Sequence, residues 1–158
     1  MSAPMLDHGK PIEYLPATLW DLGAVRELER ISFELDAWPL IEMIGVLSLP
    51  GIERWKAVDN DRLAGFVAAD PKRGEQLAWI ATIAVHPDYR GRGIGAELLR
   101  IAEERCGMPR MRLMVRVSNH SAQRLYQRSG YVQVDVWPRY YFGGEDALVM
   151  EKILRPKL

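Results

Sequence analysis

Two arginines and three glycines near the middle of the chain have the residue types and the spacing of a phosphate-binding loop. The run is Arg90-Gly91-Arg92-Gly93-Ile94-Gly95. Glycines let backbone N–H groups approach a ligand without an intervening side chain, and the arginines add positive charge. A helical pattern of apolar residues begins at Gly95, so a helix N-terminus with free N–H groups is expected beside the loop. This combination predicts a site for a pyrophosphate group.

Spacing distinguishes between the kinds of loop that bind phosphate groups. A Walker loop ends in Gly-Lys-Ser/Thr, whereas Gly95 is followed by Ala96 and Glu97, which excludes that loop. Gly91-x-Gly93-x-x-Ala96 formally matches the dinucleotide fingerprint, but that motif opens a βαβ unit with an acidic residue about 20 residues later, and too little chain follows for such a sheet. For the loop alone, a glycine-rich turn with solvated arginines is an equally weighted alternative.

The elements around the loop follow one another in a clear order. Periodicity and turn residues predict the order β, α, α, β, β, β, α, β, α, β, β. The apolar run from Leu77 to Val85 is predicted to be a central strand whose side chains alternate without interruption, because both of its faces are apolar. Residues 18–21 resemble a capping box before the first helix, and Glu29 is predicted to lie on that helix's solvated face.

Length and composition limit the classes of protein to consider. With 158 residues, the chain is expected to form one α/β domain over residues 1–158. Basic and acidic residues number 21 each, which argues against nucleic acid as the main partner. One cysteine and three dispersed histidines predict neither an internal disulfide nor a metal site. Without a signal peptide or a membrane span, a cytoplasmic monomer or homodimer is expected.

The glycine loop resembles the Arg-x-x-Gly-x-Gly/Ala motif of the GNAT superfamily of N-acyltransferases, which bind acetyl-CoA, and the predicted element order is that of the GNAT fold. Three stretches, at residues 115–122, 125–131 and 139–150, further resemble the N-terminal acetyltransferases, particularly bacterial ribosomal-protein alanine N-acetyltransferases. The resemblance implies a mixed, mostly antiparallel sheet of six to seven strands, about four flanking helices, and acetyl-CoA as co-substrate on the loop.

The resemblance also implies roles for residues beyond the loop. In proteins of this kind, backbone groups at Ile83, Ala84 and Val85 pair with the pantetheine arm, and a residue at the position of Asn119 often contacts it. Tyr126 corresponds to a tyrosine that lies at the cofactor and protonates the departing thiolate. Two simpler interpretations stay open, because Asn119 has the features of a helix cap and Tyr126 falls on the apolar face of a helix.

Four aromatic residues are candidates for binding the acceptor. Tyr140 and Tyr141 correspond to a pair that holds the backbone of an acceptor peptide, although they also suit the cover of a sheet edge. Phe33 and Trp38, between the first two helices, either line the acceptor site or fill the core.

The chain departs from the family's pattern at the general base. The usual glutamate is replaced by Met114, and Trp79 stands where a eukaryotic branch has a tyrosine. Neither side chain accepts a proton. Water-mediated proton transfer to a carboxylate such as Glu34 or Asp36 is the remaining expectation.

The missing base favours an acceptor that loses its proton easily. An α-amino group has a pKa of about 7.7–8.0 and lysine about 10.4, a difference of about 3.5 kcal/mol in the work of deprotonation. The sequence therefore predicts acetylation of the N-terminal α-amine of a peptide or protein that begins with a small residue. A lysine or small-amine acceptor and a non-catalytic acyl-CoA sensor are the alternatives.

Overall fold

The computed structural model describes residues 10–33 and 40–154, in which the elements follow the predicted order. The strands are β1 (Glu13–Pro16), β2 (Glu53–Asp59), β3 (Arg62–Lys72), β4 (Leu77–Val85), β5 (Arg110–Arg116), β6 (Val132–Trp137) and β7 (Ala147–Ile153). The helices are α1 (Leu22–Phe33), α2 (Leu40–Ser48), α3 (Ile94–Cys106) and α4 (His120–Arg128). As the capping box predicts, the Asp21 carboxylate accepts a hydrogen bond from the Thr18 backbone N–H at 2.8 Å.

The seven strands form one sheet in the order β1-β2-β3-β4-β5-β7-β6. Neighbouring strands are antiparallel except β4 and β5, which are parallel. The predictions of a mixed, mostly antiparallel sheet with about four helices, and of β4 as a central strand, are confirmed.

Helices cover both faces of this sheet. On β3, Val67 belongs to a core that includes Leu98 of α3, whereas its neighbour Phe66 belongs to a core that includes Leu28 of α1. Consecutive residues of a strand point to opposite faces, so α3 and α1 lie on opposite sides of the sheet. No helix within the described ranges is long and apolar enough to cross a membrane.

A glycine on β3 brings α3 close to the sheet. A Cβ atom at Gly65 would lie 2.9 Å from Leu98 Cδ1, 3.1 Å from the Ala84 carbonyl oxygen and 3.2 Å from Ile94 Cγ2. Glycine permits this close approach because it has no side chain. The contact holds the first turn of α3 against the sheet and thereby places the glycine loop at the end of β4.

The central strand contains an irregularity that its sequence does not reveal. Two consecutive residues of β3 pair with Ile80 and Thr82, so Ala81 is an extra residue, as in a β-bulge. The bulge changes the side-chain alternation: Ile80 packs in the core under α3, whereas Thr82 reaches Glu29 of α1 on the opposite face. The predicted uninterrupted alternation is therefore wrong beyond Ile80.

The sheet opens next to this bulge. In the described structure, β4 and β5 pair only at Ala78 with Met111 and at Trp79 with Arg112. Both strands continue well beyond these pairs, and β5 remains paired with β7 along its whole length. The carboxyl-terminal halves of β4 and β5 thus present backbone edges that are not joined to each other.

Candidate active site

The opening between β4 and β5 leads to a cavity of about 150 Å³. Its walls come from α1, β4, β5, α4 and the loop between β6 and β7. Among the predicted site residues, five line it: Phe33, Ile83, Asn119, Tyr126 and Tyr141. Residues that are far apart in the sequence and were predicted to act on one reaction therefore meet around one cavity.

Tyr126 reaches the cavity from the buried side of α4. Its side chain is 7% exposed, and its ring contacts the Tyr131 ring edge to face at 6.2 Å. Burial, with a smaller contribution from Tyr141, raises the pKa of the Tyr126 hydroxyl above its ordinary value. Tyr126 is thus a core residue and a cavity wall at once, and its hydroxyl keeps its proton at neutral pH.

Asn119 lies at the start of α4. Its side-chain oxygen accepts a hydrogen bond from the Ala122 backbone N–H at 3.1 Å, which makes Asn119 the N-cap of the helix. It also lines the cavity. The capping interpretation therefore describes its hydrogen bond, and its position allows contact with a ligand as well.

The loop between β6 and β7 is held beside the cavity by an ion pair. The Arg116 guanidinium lies 4.4 Å from the centre of the Tyr141 ring and is 2.8 Å from the Glu145 carboxylate. Hydrogen bonds from Ser118 and Arg116 hold the pKa of Glu145 below its usual range. Tyr140, half exposed, does not line the cavity but packs perpendicular to Tyr141 at 5.1 Å.

The glycine loop has the backbone conformation that its sequence predicts. Gly91 and Gly93 both have φ of +78°, a region that favours glycine. Arg90 and Arg92 are exposed, while Ile94 and Gly95 are buried in the first turn of α3. Helix geometry leaves the first N–H groups of α3 without intrahelical acceptors. The loop thus combines free donors, positive charge and a helix N-terminus, which fits a diphosphate.

Tyr89, just before the glycine loop, packs against two arginines and anchors the loop to β2. Its hydroxyl donates a hydrogen bond to Asp59 at 2.7 Å, and its ring is buried. The guanidinium groups of Arg62 and Arg92 lie 5.3 Å and 5.1 Å from the ring centre. These contacts fix the turn after β4 to the end of β2 and orient Arg92, neither of which the sequence predicted.

Ala84 and Val85 lie on β4 just before the loop but do not line the cavity. Their backbones pair with Phe66 and Gly65 of β3, and Ala84 is buried in the core under α1. In the described residues, no strand pairs with their other edge. That edge offers backbone donors and acceptors that match the amide groups of a pantetheine arm.

The two residues at the family's base positions have different surroundings. Met114 lines the cavity, so the position is at the site although its thioether accepts no proton. Trp79 instead packs against Trp137 at 5.9 Å and under Arg112. The other candidates, Glu34 and Asp36, lie outside the described residues, as does Trp38.

Glu29 is the acidic residue that the sequence analysis placed wrongly. It was expected on the solvated face of α1, but only 1% of the residue is exposed. Its Oε1 accepts a hydrogen bond from the hydroxyl of Thr82, which lines the cavity, at 2.5 Å. Burial raises the pKa of Glu29 to about 7, against the opposing effect of the Thr82 hydrogen bond.

A signal for this burial was present in the sequence. Glu29 follows Val25 by four residues, so the two share a helix face, and Val25 is fully buried. The charge of Glu29 suggested an exposed position, although the helical pattern places this residue on the face of Val25. The sequence also does not reveal that the β4 bulge turns Thr82 towards Glu29. No group of three or more potential metal ligands occurs among residues 10–33 and 40–154.

Comparisons with known proteins identify the family of the chain. The sequence profile of the Acetyltransferase (GNAT) family matches residues 19–131. A Bacillus subtilis protein with the provisional name ribosomal protein bS18-alanine N-acetyltransferase is 46% identical over 137 residues, which cover 84% of this chain and 89% of the relative.

Two crystal structures have the same fold. The ribosomal-protein-S18-alanine N-acetyltransferase of Escherichia coli superposes with a TM-score of 0.83 at 23% identity, covering 94% of this chain and 97% of that one. Arabidopsis thaliana NAA60 in complex with acetyl-CoA gives a TM-score of 0.81 at 23% identity, covering 91% and 99%. Fold, glycine loop and sequence profile therefore agree: the chain belongs to the GNAT acetyltransferase family and is an acetyl-CoA-dependent N-acetyltransferase.

Proposed function

We propose that this enzyme acetylates the N-terminal α-amine of a peptide or protein. The observation that carries the proposal is the convergence of Tyr126, Tyr141 and Phe33 around one cavity at the sheet opening. The name of the Bacillus subtilis relative, which refers to N-acetylation of an alanine of a ribosomal protein, supports a protein acceptor. The absence of an ionisable side chain at Met114 favours an amine that is partly neutral at physiological pH.

The residues that would hold acetyl-CoA lie on both sides of the α3 N-terminus. Residues 90–95 would bind the diphosphate, and the free backbone edge of residues 83–85 would pair with the pantetheine arm. Asn119 lines the same cavity as Ile83 and would contact that arm. Acetyl-CoA supplies the acetyl group as a thioester, whose C–S bond breaks as the new C–N bond forms. The backbone donors along this edge would also stabilise negative charge on the carbonyl oxygen.

Tyr126 is the proton donor in this proposal. Its hydroxyl is buried beside the cavity and remains protonated at neutral pH because burial raises its pKa. In that state it can donate its proton to the sulfur as the thiolate leaves, which is general acid catalysis.

The acceptor would enter beside the loop between β6 and β7. Tyr141 lines the cavity there and Tyr140 packs against it, so the two rings would lie beside the backbone of an extended acceptor. Phe33 also lines the cavity. A cavity of about 150 Å³ suits a small first side chain better than a large one.

Two peptides of the same length test the acceptor class. The first begins with alanine, has a free N-terminus and contains no lysine; the second is blocked at its N-terminus and carries one internal lysine. Release of free thiol from acetyl-CoA is measured with each, and mass spectrometry locates the acetyl group. We expect turnover with the first peptide only.

Two results would contradict the proposal. Acetylation of the blocked lysine peptide alone would identify a lysine acetyltransferase. Turnover with a free polyamine, and with neither peptide, would identify a small-amine acetyltransferase. A third peptide that begins with leucine tests the size limit, because a small cavity predicts a lower kcat/KM for leucine than for alanine.

A further inference from the structure

Glu29 and Thr82 form a buried, hydrogen-bonded pair beside the cavity in which the proposed reaction needs a proton acceptor. The amine must lose a proton as it attacks, and Met114 in the cavity wall cannot take it. Thr82 lines the same cavity and donates its hydroxyl proton to Glu29 Oε1 at 2.5 Å. The hydroxyl oxygen still has lone pairs that can accept a hydrogen bond from an amine in the cavity.

The β4 bulge brings this pair together. Without the bulge, β4 would alternate regularly, and the side chain at position 82 would lie with Ile80 on the face covered by α3. With it, Thr82 points towards α1 while its neighbour Ile83 still lines the cavity. The bulge therefore gives the cavity a hydroxyl group that is hydrogen-bonded to a carboxylate.

The surroundings of Glu29 favour its neutral form. The other carboxylate oxygen, Oε2, is buried and has no hydrogen-bond partner within the described part of the chain. A buried carboxylate that is only half satisfied is costly as an anion and readily accepts a proton.

Charged groups on the neighbouring elements do not offset this cost. The β4 residues 77–85 and the β3 residues 63–69 include no ionisable side chain. The one acid of α2, Glu42, is exposed, and Asp21 before α1 is paired with Lys56 at 2.7 Å. On α1 itself, Arg26 is exposed, and Glu27 and Arg30 form an exposed ion pair. Burial is accordingly the main cause of the raised pKa of Glu29.

We propose that Glu29 receives, through the Thr82 hydroxyl, the proton that the acceptor amine loses. This inference rests on the proposed function, in which a neutral amine attacks the thioester. As the C–N bond forms, the amine proton moves to Thr82 Oγ, and the Thr82 hydroxyl proton moves to Glu29 Oε1. The sulfur takes the Tyr126 proton as the C–S bond breaks. One proton then leaves Glu29 and one returns to Tyr126, so a neutral amine yields amide and thiol without net proton release.

Kinetics of paired variants test this relay. We expect Glu29→Gln, which keeps the shape and the hydrogen bond to Thr82, to lower kcat about 10²-fold at saturating peptide. Wild-type kcat should rise with pH through about 7, because the carboxylate must be unprotonated, and this rise should be lost in Glu29→Gln. Thr82→Val should have the same effect, and the double variant should be no slower than either single variant, since the two residues act as a unit.

Two further variants separate the relay from packing. Thr82→Ser restores the hydroxyl and should recover most of the activity that Thr82→Val loses. Ser32→Ala removes another buried hydroxyl on α1 and should leave kcat and its pH dependence as in the wild type. Circular dichroism and acetyl-CoA calorimetry establish that each variant is folded.

Unaltered kcat and pH dependence in folded Glu29→Gln would overturn the relay, and if that variant does not fold, the same result in Thr82→Val would do so. A measurement on the wild type is independent of activity: carbon-13 NMR of the Glu29 carboxyl should show titration between pH 6 and 8. A carboxyl that stays protonated up to pH 9 would also rule the relay out. Failure of the wild type to acetylate any free N-terminus would instead contradict the proposed function.

Discussion

At the scale of single residues, burial acts on two ionisable side chains of this site, and the chemical consequence differs between them. It favours the neutral form of both Tyr126 and Glu29 and raises the pKa of each. For Tyr126 the shift moves the titration further from neutrality, so the hydroxyl remains a proton donor. For Glu29 it moves the titration to about pH 7, where a group can gain and lose a proton in each turnover.

Replacement of Tyr126 by phenylalanine tests the donor. The variant keeps the buried ring and loses only the hydroxyl, so we expect kcat to fall about 10²-fold while acetyl-CoA affinity stays within twofold. Steady-state kinetics and calorimetry measure the two quantities. An unaltered kcat, with chemistry shown to be rate-limiting by single-turnover kinetics, would reduce Tyr126 to a packing residue.

Glu29 should also affect the pH dependence of stability. Because its pKa is raised in the folded state, its stabilising contribution is complete below about pH 4.5 and is lost as pH rises through about 7. Glutamine at position 29 does not titrate. The unfolding free energy of Glu29→Gln should therefore rise relative to that of the wild type from pH 4.5 to 7 and then level off, and the total change in this difference should be at most about 3 kcal/mol.

Urea unfolding at a series of pH values measures this difference. Glu27→Gln on the same helix is the matched control, because Glu27 is exposed and Arg30 lowers its pKa. That control should show no such trend between pH 5 and 8. A constant difference between Glu29→Gln and the wild type across this range would mean that Glu29 does not titrate there.

At the scale of elements, the sequence predicted what depends on local patterns. The order of strands and helices follows from periodicity and turn residues. The glycine loop was recognised because its function requires particular residue types. The β4 bulge was not, because Ala81 is compatible with a regular strand and the register depends on β3, which is distant in sequence.

The close contact between β3 and α3 gives an element-scale prediction. Gly65→Ala should lower stability by about 1–3 kcal/mol and weaken acetyl-CoA binding, because the new methyl group would overlap with Leu98 and push the α3 N-terminus outwards. Thermal unfolding and calorimetry measure both effects. Gly74→Ala is the control, since a Cβ atom at that position meets nothing within 4 Å. Equal behaviour of the two variants would contradict the positioning role of Gly65.

At the scale of the whole molecule, the site lies where two units of the sheet separate. Strands β1 to β4 form one antiparallel unit and β5, β7 and β6 form another, joined by two residue pairs and by the helices that pack across them. The cavity takes walls from both units, with Ile83 on one side and Met114 on the other. Local patterns predict residues on each side, but the separation itself follows from long-range pairing that no local pattern encodes.

The unpaired edge of β4 has a consequence for the exchange of backbone amide hydrogens with deuterated solvent. Amides at the centre of a seven-stranded sheet normally exchange slowly, yet those of residues 82–85 that point into the opening lack an acceptor on β5. They should exchange much faster than the amides of residues 64–67 on β3, which pairs on both sides. Acetyl-CoA should form hydrogen bonds with this edge as an additional strand does. Binding of acetyl-CoA should therefore slow the exchange of these amides to the rates typical of the centre of a sheet.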